Sequence, residues 1–365
     1  MHLFPALEKK YTKEQLSAQE AQRLAEFIAW GPAVFQTARI MIKYGILDAI
    51  RDSQNGISRQ ELSKISGLSD YAVKCLTEAS LSMGIILVDK ETDLFTISKT
   101  GWFLLTDAST RANMNFNHDV NYVGWFNLEE SLVNGKPEGL KHFGPWPTIY
   151  EGLSSLPPQV QKSWFGFDHF YSDNSFEEAL KIVFDIYKPK SLFDVGGNTG
   201  RWALKCVEYS PEVNVTILDL PQQIEMMRQQ IATKQGADRI HAYPINLLDE
   251  SQHFPTNTNV DAIWMSQFLD CFSMPEIVSI LRRAKEAMSP NTRLYIMETL
   301  WDRQKFETAA FCLTMTSLYF TALANGNSKM YNTEDMDKCI SDAGLKIETI
   351  HDHIGLGHSI IVCKL

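Results

Sequence analysis

The residues best placed to do chemistry sit in one stretch, Ser191 to Gly200, which reads SLFDVGGNTG. Apolar residues run into Asp194, glycines follow at 196, 197 and 200, and the helix-forming run RWALKCVEYS comes next. That order predicts a buried parallel strand, a tight turn and a helix start. Such a turn needs glycine where φ is positive or where a ligand approaches the backbone. The helix start behind it offers unpaired N–H groups and a partial positive charge to an anion. A second acid, Asp219, closes the strand-like run VNVTILDL, about 20 residues after the loop, where a carboxylate can hold ribose hydroxyls. A glycine loop alone fits a tightly packed strand-turn-helix without a ligand; with both acids in place it predicts nucleoside binding.

The dinucleotide fingerprint G-x-G-x-x-G does not fit, because Val195 stands where its first glycine belongs. The pattern present, D-x-G-x-N-x-G, is similar to the acidic-x-G-x-G-x-G loop of S-adenosylmethionine (SAM) methyltransferases. Asn198 replaces the middle glycine, and Asn tolerates a left-handed backbone better than most residues. FDVGGNTG, LDLP, FLDCFS and YIMETL follow the order and spacing of the plant-type and bacterial small-molecule O-methyltransferases, including the caffeate, flavonoid and hydroxyindole enzymes. The chain resembles that family over nearly its whole length.

The resemblance implies SAM as methyl donor and S-adenosylhomocysteine as its product. It places Gly196 and Gly197 beside the methionine portion, Asp219 on the ribose hydroxyls, Leu220 beneath the adenosine and Phe272 against the adenine. Asn246 stands where the family has an acid near the adenine amine, and its amide oxygen can still accept a hydrogen bond. Asn198, Leu247 and Ser266 complete the implied donor contacts, and Ser266 with Gln267 replaces a Lys-aromatic pair.

Methyl transfer from a sulfonium is an in-line displacement whose leaving group is already built. The protein must orient two reactants and remove a proton from the acceptor hydroxyl, and no metal is called for. The family uses a His in a His-Asp-Trp segment after its fourth strand. Asp270, followed by Cys271 and Phe272, occupies that place here, and a shift of one residue would put Leu269 there instead. The family's orienting Glu matches Glu298, and its second Glu is replaced by Tyr331. Asp270 works as a base only if burial raises its pKa well above about 3.9. It could instead bind a cationic or hydroxyl group, or serve as an acid at the start of the helix EIVSILRRA. Two carboxylates facing one cleft repel, so one pKa should rise. The replaced His also leaves open methylation of an N or S acceptor, or a SAM-binding regulator without catalysis.

These residues need a frame. Strands are expected at 191–195, 213–218, 240–245, 261–268 and 293–298, with helices between them and a last strand in GHSIIVCKL. Alternating strands and helices give an α/β, doubly wound, Rossmann-like sheet, seven-stranded with a reversed final strand as the resemblance implies. Ligands sit at the carboxyl ends of such strands, where Asp194, Asp219, Asn246 and Ser266 fall. Ahead of this domain (176–365) lie a connector (106–175) and an N-terminal domain (1–105). In the connector, spacings of three and four among Trp164, Phe165, Phe167, Phe170 and Tyr171 give either core packing or an aromatic wall for a flat substrate. Asp168 and His169 share that stretch. Met315, Tyr319 and Phe320, in FETAAFCLTMTSLYFTALANG, are further pocket candidates, with core or dimer packing as the alternative.

The N-terminal domain reads as a helical run, AQRLAEFIAW, a second helix from Pro32 through VFQTARIMIKYGILDAI, and a winged helix over 58–105. That second helix is apolar enough to be core or to be buried between two subunits. The helix from Asp70 to Met83 carries Lys74 against Asp70 and Glu78, which suits no DNA groove. The resemblance gives the winged helix a different task, homodimerisation. The net charge of −10 likewise argues against a nucleic-acid partner. Six scattered cysteines without a C-x-x-C pair argue against zinc or a disulfide framework and suit a cytoplasmic location. No signal peptide and no membrane span are expected.

Overall fold

A computed structural model describes residues 3–256 and 259–365. They form two compact units, Glu14–Asp119 and a second that joins the segment up to Lys13 to Val120–Leu365. The boundaries therefore fall at 13 and 119, where the sequence suggested 105 and 175. Helix Lys99–Thr106 packs on helix Ile46–Asp52, and helix Ala108–Phe116 packs on Lys99–Thr106, which keeps both in the smaller unit. Helix Pro5–Thr12 packs instead on helix Glu307–Tyr319, with Lys10 paired to Glu307 at 3.0 Å.

In the smaller unit Met41, Ile46, Leu47, Ile50, Leu62, Val73 and Ile86 form a common core. Helix Arg59–Ser66, helix Asp70–Ser82 and the hairpin β1 (Ile86–Val88) and β2 (Phe95–Ile97) make the expected winged helix. Ser69 caps its helix by accepting the N–H of Ala72 at 3.2 Å. The run VFQTARIMIKYGILDAI does not form one helix. It breaks at Gly45, whose φ of 68° is left-handed, into helices Gly31–Lys43 and Ile46–Asp52. Helix Ala18–Ala29 buries none of its residues. Leu24, Phe27 and Ile28, at spacings of three and four, share an exposed apolar face that ends in Trp30, 66% exposed. Two basic residues of the winged helix are paired with acids, Arg59 with Asp70 at 2.7 Å and Lys74 with Glu78 at 3.9 Å.

The larger unit is built on a seven-stranded sheet among the described residues. Its strands are β3 (Ser191–Val195), β4 (Asn214–Asp219), β5 (Ile240–Pro244), β6 (Ala262–Ser266), β7 (Arg293–Glu298), β8 (Lys346–Ile354) and β9 (His358–Lys364). The order is β5-β4-β3-β6-β7-β9-β8, parallel except for β9 and β8. Period two sends Phe193, Met265 and Ile296 to one face and Leu192, Trp264 and Tyr295 to the other, and both faces are covered. The reversed β9 was expected, and β8 supplies the seventh strand, which had been counted but not located. KIETIHDHI is half-exposed at the sheet edge and lacks the apolar run that marked the central strands. The strand expected at 261–268 stops at Ser266, because Gln267 turns to a left-handed φ of 46°. Among the described residues, no helix is long and apolar enough to cross a membrane.

Candidate active site

The loop after β3 is set by backbone conformation. Gly196 has φ 72° and Gly200 φ 80°, and Asn198 joins them at φ 50°. A Cβ on Gly196 would lie 2.4 Å from the Phe268 ring, and one on Gly197 would lie 2.7 Å from Asp194 Oδ2, so neither glycine has room for a side chain. Gly196 N–H donates to Leu218 O at 2.9 Å, tying the loop to β4. At the end of β4, Asp219 accepts the N–H of Asn198 at 2.8 Å and that of Leu220 at 2.7 Å. One carboxylate thus fixes both the glycine loop and the turn into helix Pro221–Ile231.

A cleft opens over these strand ends, lined by the glycine loop, by Ser266 and Gln267 after β6, and by Asp168, His169 and Ser172 of helix Pro158–Asp173. Asp194 Oδ2, Asn198 Oδ1 and Gln267 Oε1 are buried there without a hydrogen-bond partner. So are the indole N–H groups of Trp202 and Trp264, which stack at 4.3 Å. Buried polar atoms are normally paired; five orphans around one cleft mark where a ligand's donors and acceptors belong. Burial, and then the charge of Asp219, pushes the Asp194 carboxyl up to about 8. Burial pushes Asp219 up to about 6 against the pull of its two N–H donors.

Beside the cleft lies a second cluster. Asp270 is buried in the 3₁₀ turn Leu269–Cys271, where its Oδ1 accepts a long contact from Cys271 Sγ at 3.5 Å. It does not cap the following helix: Ser273 and Glu276 form that cap. Glu298, at the end of β7, accepts the N–H groups of Phe268 at 3.0 Å and Leu269 at 2.8 Å through Oε1, and its Oε2 has no partner. Burial and the nearby Asp270 hold the Glu298 carboxyl well above the usual carboxylate range. Burial raises Asp270 as well. The repulsion expected between these two acids is present: the charge of Asp270 adds to burial in raising Glu298. Asp168 links the clusters: it lines the cleft, and burial followed by the charges of Asp270 and Asp173 pushes it up to about 7. Trp164 Nε1 donates to Tyr319 Oη at 2.7 Å, and Tyr319 interacts electrostatically with Asp168 and Asp270. Tyr150, which the sequence did not single out, sits against Cys271 and Asp270. Tyr331 ties the turn from outside, donating to Phe272 O at 2.6 Å.

The structure brings Gly196, Gly197, Asn198 and Ser266 to the cleft wall, holds Asp219 behind the loop through the Asn198 N–H, and gathers Asp270, Glu298 and Tyr319 in the cluster beside it. Other expected residues lie elsewhere. Asn246 is exposed, with its amide oxygen occupied by the Leu248 N–H at 3.0 Å. The Leu247 side chain belongs to the core, and Leu220 contributes the turn. Phe272 packs on Phe268 at 4.9 Å. Phe167 and Phe170 pack on Tyr171 of their own helix, at 5.1 and 5.3 Å, while Asp168, His169 and Ser172 supply that helix's cleft face. Met315 is 44% exposed. Arg201, Trp202 and Trp264 line the cleft and were not singled out as site residues from the sequence.

Residues 22–95 match the Dimerisation2-like domain and residues 169–346 the O-methyltransferase domain. Among curated proteins, the chain is 27% identical to bacteriochlorophyllide d C-20 methyltransferase of Chlorobaculum tepidum over 158 residues, 42% of this chain and 44% of that protein. It is 26% identical to the O-methyltransferase FrzF of a Cladobotryum species over 262 residues, 67% of this chain and 60% of that protein. The matched stretches thus span less than two thirds of either relative. Among solved structures, an O-methyltransferase from neocarzinostatin biosynthesis, in complex with SAM and 2-hydroxy-5-methyl naphthoic acid, superposes with a TM-score of 0.66 at 18% identity. That match covers 91% of this chain and 94% of the other.

Proposed function

The chain joins a Dimerisation2-like domain to an O-methyltransferase domain, and on that premise we propose that it transfers a methyl group from SAM to a hydroxyl of a small aromatic metabolite, as a cytoplasmic homodimer. The observation that carries the donor half is the ring of orphaned acceptors, Asp194 Oδ2, Asn198 Oδ1 and Gln267 Oε1, around a loop with no room for a Cβ. Acceptors in excess suit a cationic, donor-rich ligand, and SAM carries an ammonium, two ribose hydroxyls and a sulfonium. When bound, SAM supplies an activated methyl group. The chain supplies the rest. Asp219 holds the loop and can accept ribose hydroxyls on its remaining lone pairs. Asp270, made more basic by burial, takes the acceptor's proton. Glu298 is a positioning residue: it fixes the turn that carries Asp270 through two backbone N–H groups. Trp164 and Tyr319, joined by a hydrogen bond, would give the acceptor's pocket a polar edge.

Dimerisation through the N-terminal unit is supported by the apolar face of Leu24, Phe27, Ile28 and Trp30. The paired Arg59 and Lys74 fit a partner other than nucleic acid. The test uses methyl-labelled SAM, purified protein and a metabolite extract, with Asp219→Ala as the donor-binding control. Label should enter a small phenolic product and disappear in the control. No transfer from protein that binds S-adenosylhomocysteine would overturn the catalytic reading.

A further inference from the structure

The charges that line the cleft are unequal. Asp168 and Asp194 are its acids, and among the described lining residues Arg201 is the one permanent cation. His169 is held neutral, its pKa lowered by burial and then by Arg201. Arg201 is the first residue of helix Arg201–Tyr209, directly after Gly200 of the loop, so its guanidinium adds a full charge to an end that already attracts anions. It is held by Asp173, Nη1 to Oδ2 at 2.6 Å, and its side chain keeps 48% of its surface accessible. One of its five N–H donors is engaged by that contact, which leaves a fork able to grip a carboxylate.

A second, independent observation points to a zwitterion in this cleft. Asp194 is 3% exposed and its Oδ2 has no partner. That oxygen calls for a donor such as an ammonium, and an amino acid's ammonium always travels with a carboxylate that needs its own countercharge. We propose that Arg201 anchors the carboxylate of the donor's amino-acid end, with Asp173 as the residue that positions its guanidinium. The inference rests on the SAM reading and adds to it a residue that no resemblance supplied. An exposed ion pair of this kind contributes little to folding, so loss of Arg201 should be read in binding rather than in stability.

The test compares two probes by calorimetry on the full-length protein: S-adenosylhomocysteine, and 5′-methylthioadenosine, which keeps the nucleoside and thioether but lacks the amino-acid end. Arg201→Ala should weaken S-adenosylhomocysteine by about 10- to 100-fold, the weight of a charge-assisted contact, and leave methylthioadenosine unchanged. Arg201→Lys should recover part of the loss, since it restores the charge without the fork. Asp173→Asn should weaken S-adenosylhomocysteine less than Arg201→Ala does, again without touching methylthioadenosine. Parallel loss of both probes in Arg201→Ala would make Arg201 a support of the loop and overturn the proposal. So would unchanged binding of both. Wild-type protein that binds neither probe would sink the donor reading itself and the anchor with it, a result distinct from either.

Discussion

At the glycine loop, the features that define the cleft come from backbone: three left-handed residues within five positions and a helix start behind them. One nearby side chain, Asp219, ties them together. At Asp270 the situation is reversed. The turn is short, and its character comes from side chains delivered by separate segments: Tyr150, Trp164 and Asp168, Glu298, Tyr319 and Tyr331. A backbone-made site keeps its form while its surroundings vary. A side-chain-made site can change its chemistry by single substitutions.

That contrast can be broken most directly at Gly196. Gly196→Ala forces a Cβ into the Phe268 ring at a positive φ. Stability should fall by about 1–3 kcal/mol from backbone strain alone, and S-adenosylhomocysteine binding should be lost; denaturation and calorimetry read the two effects. A variant that binds normally would mean the loop is not backbone-made.

Next in size is Glu298. Burial and the nearby Asp270 raise its carboxyl well above the usual carboxylate range, and Glu298→Gln keeps an acceptor for Phe268 and Leu269 while removing the repulsion with Asp270. We expect Glu298→Gln to fold and turn over nearly as wild type. Glu298→Ala should cost about 1–3 kcal/mol by orphaning two N–H groups and should lower kcat more than KM for the acceptor. Equal, severe losses in both variants would show that Glu298 acts as an ionised group.

Asp194 sharpens the comparison from the stability side. Its folded pKa of about 8 lies far above the ordinary aspartate value of 3.8. Between those values the unfolded chain is ionised and the folded one is not, so this group's contribution falls as pH rises and levels off above 8. Asp194→Asn should remove that dependence and gain on wild type between pH 5 and 8 in urea midpoint, while binding SAM more weakly. A variant with the wild-type slope would put the pH dependence elsewhere.

The smallest effect lies outside both regions. His358 is fully buried at the start of β9, and burial lowers its pKa from 6.5 to about 4. It is neutral when folded and gains a proton on unfolding below 6.5, so its contribution is lost as pH falls from 6.5 toward 4. His358→Asn should flatten that acid limb in thermal melts and leave donor binding alone.

How much of this was legible beforehand follows the same division. β3 and β7 fall at 191–195 and 293–298, as the apolar runs indicated, because a strand buried on both faces writes its length directly into the sequence. Asn198 takes the left-handed conformation expected of it, since local backbone preference does not depend on distant packing. β8 escaped notice because an edge strand carries no such run. Phe167 and Phe170 were chosen over Asp168 and Ser172 because aromatic composition says nothing about which face of a helix meets a cleft. Cys271 and Tyr150 meet only in the fold, and no spacing announces a contact 121 positions apart in the chain.

The stacked pair of Trp202 and Trp264 has a practical meaning. Both rings border the cleft, both are shielded from water, and both have an N–H awaiting an acceptor. Indole emission depends on hydrogen bonding and on the polarity around the ring. The protein therefore carries its own optical gauge of occupancy, and a titration followed by intrinsic fluorescence would report filling of the cleft without label, dye or turnover.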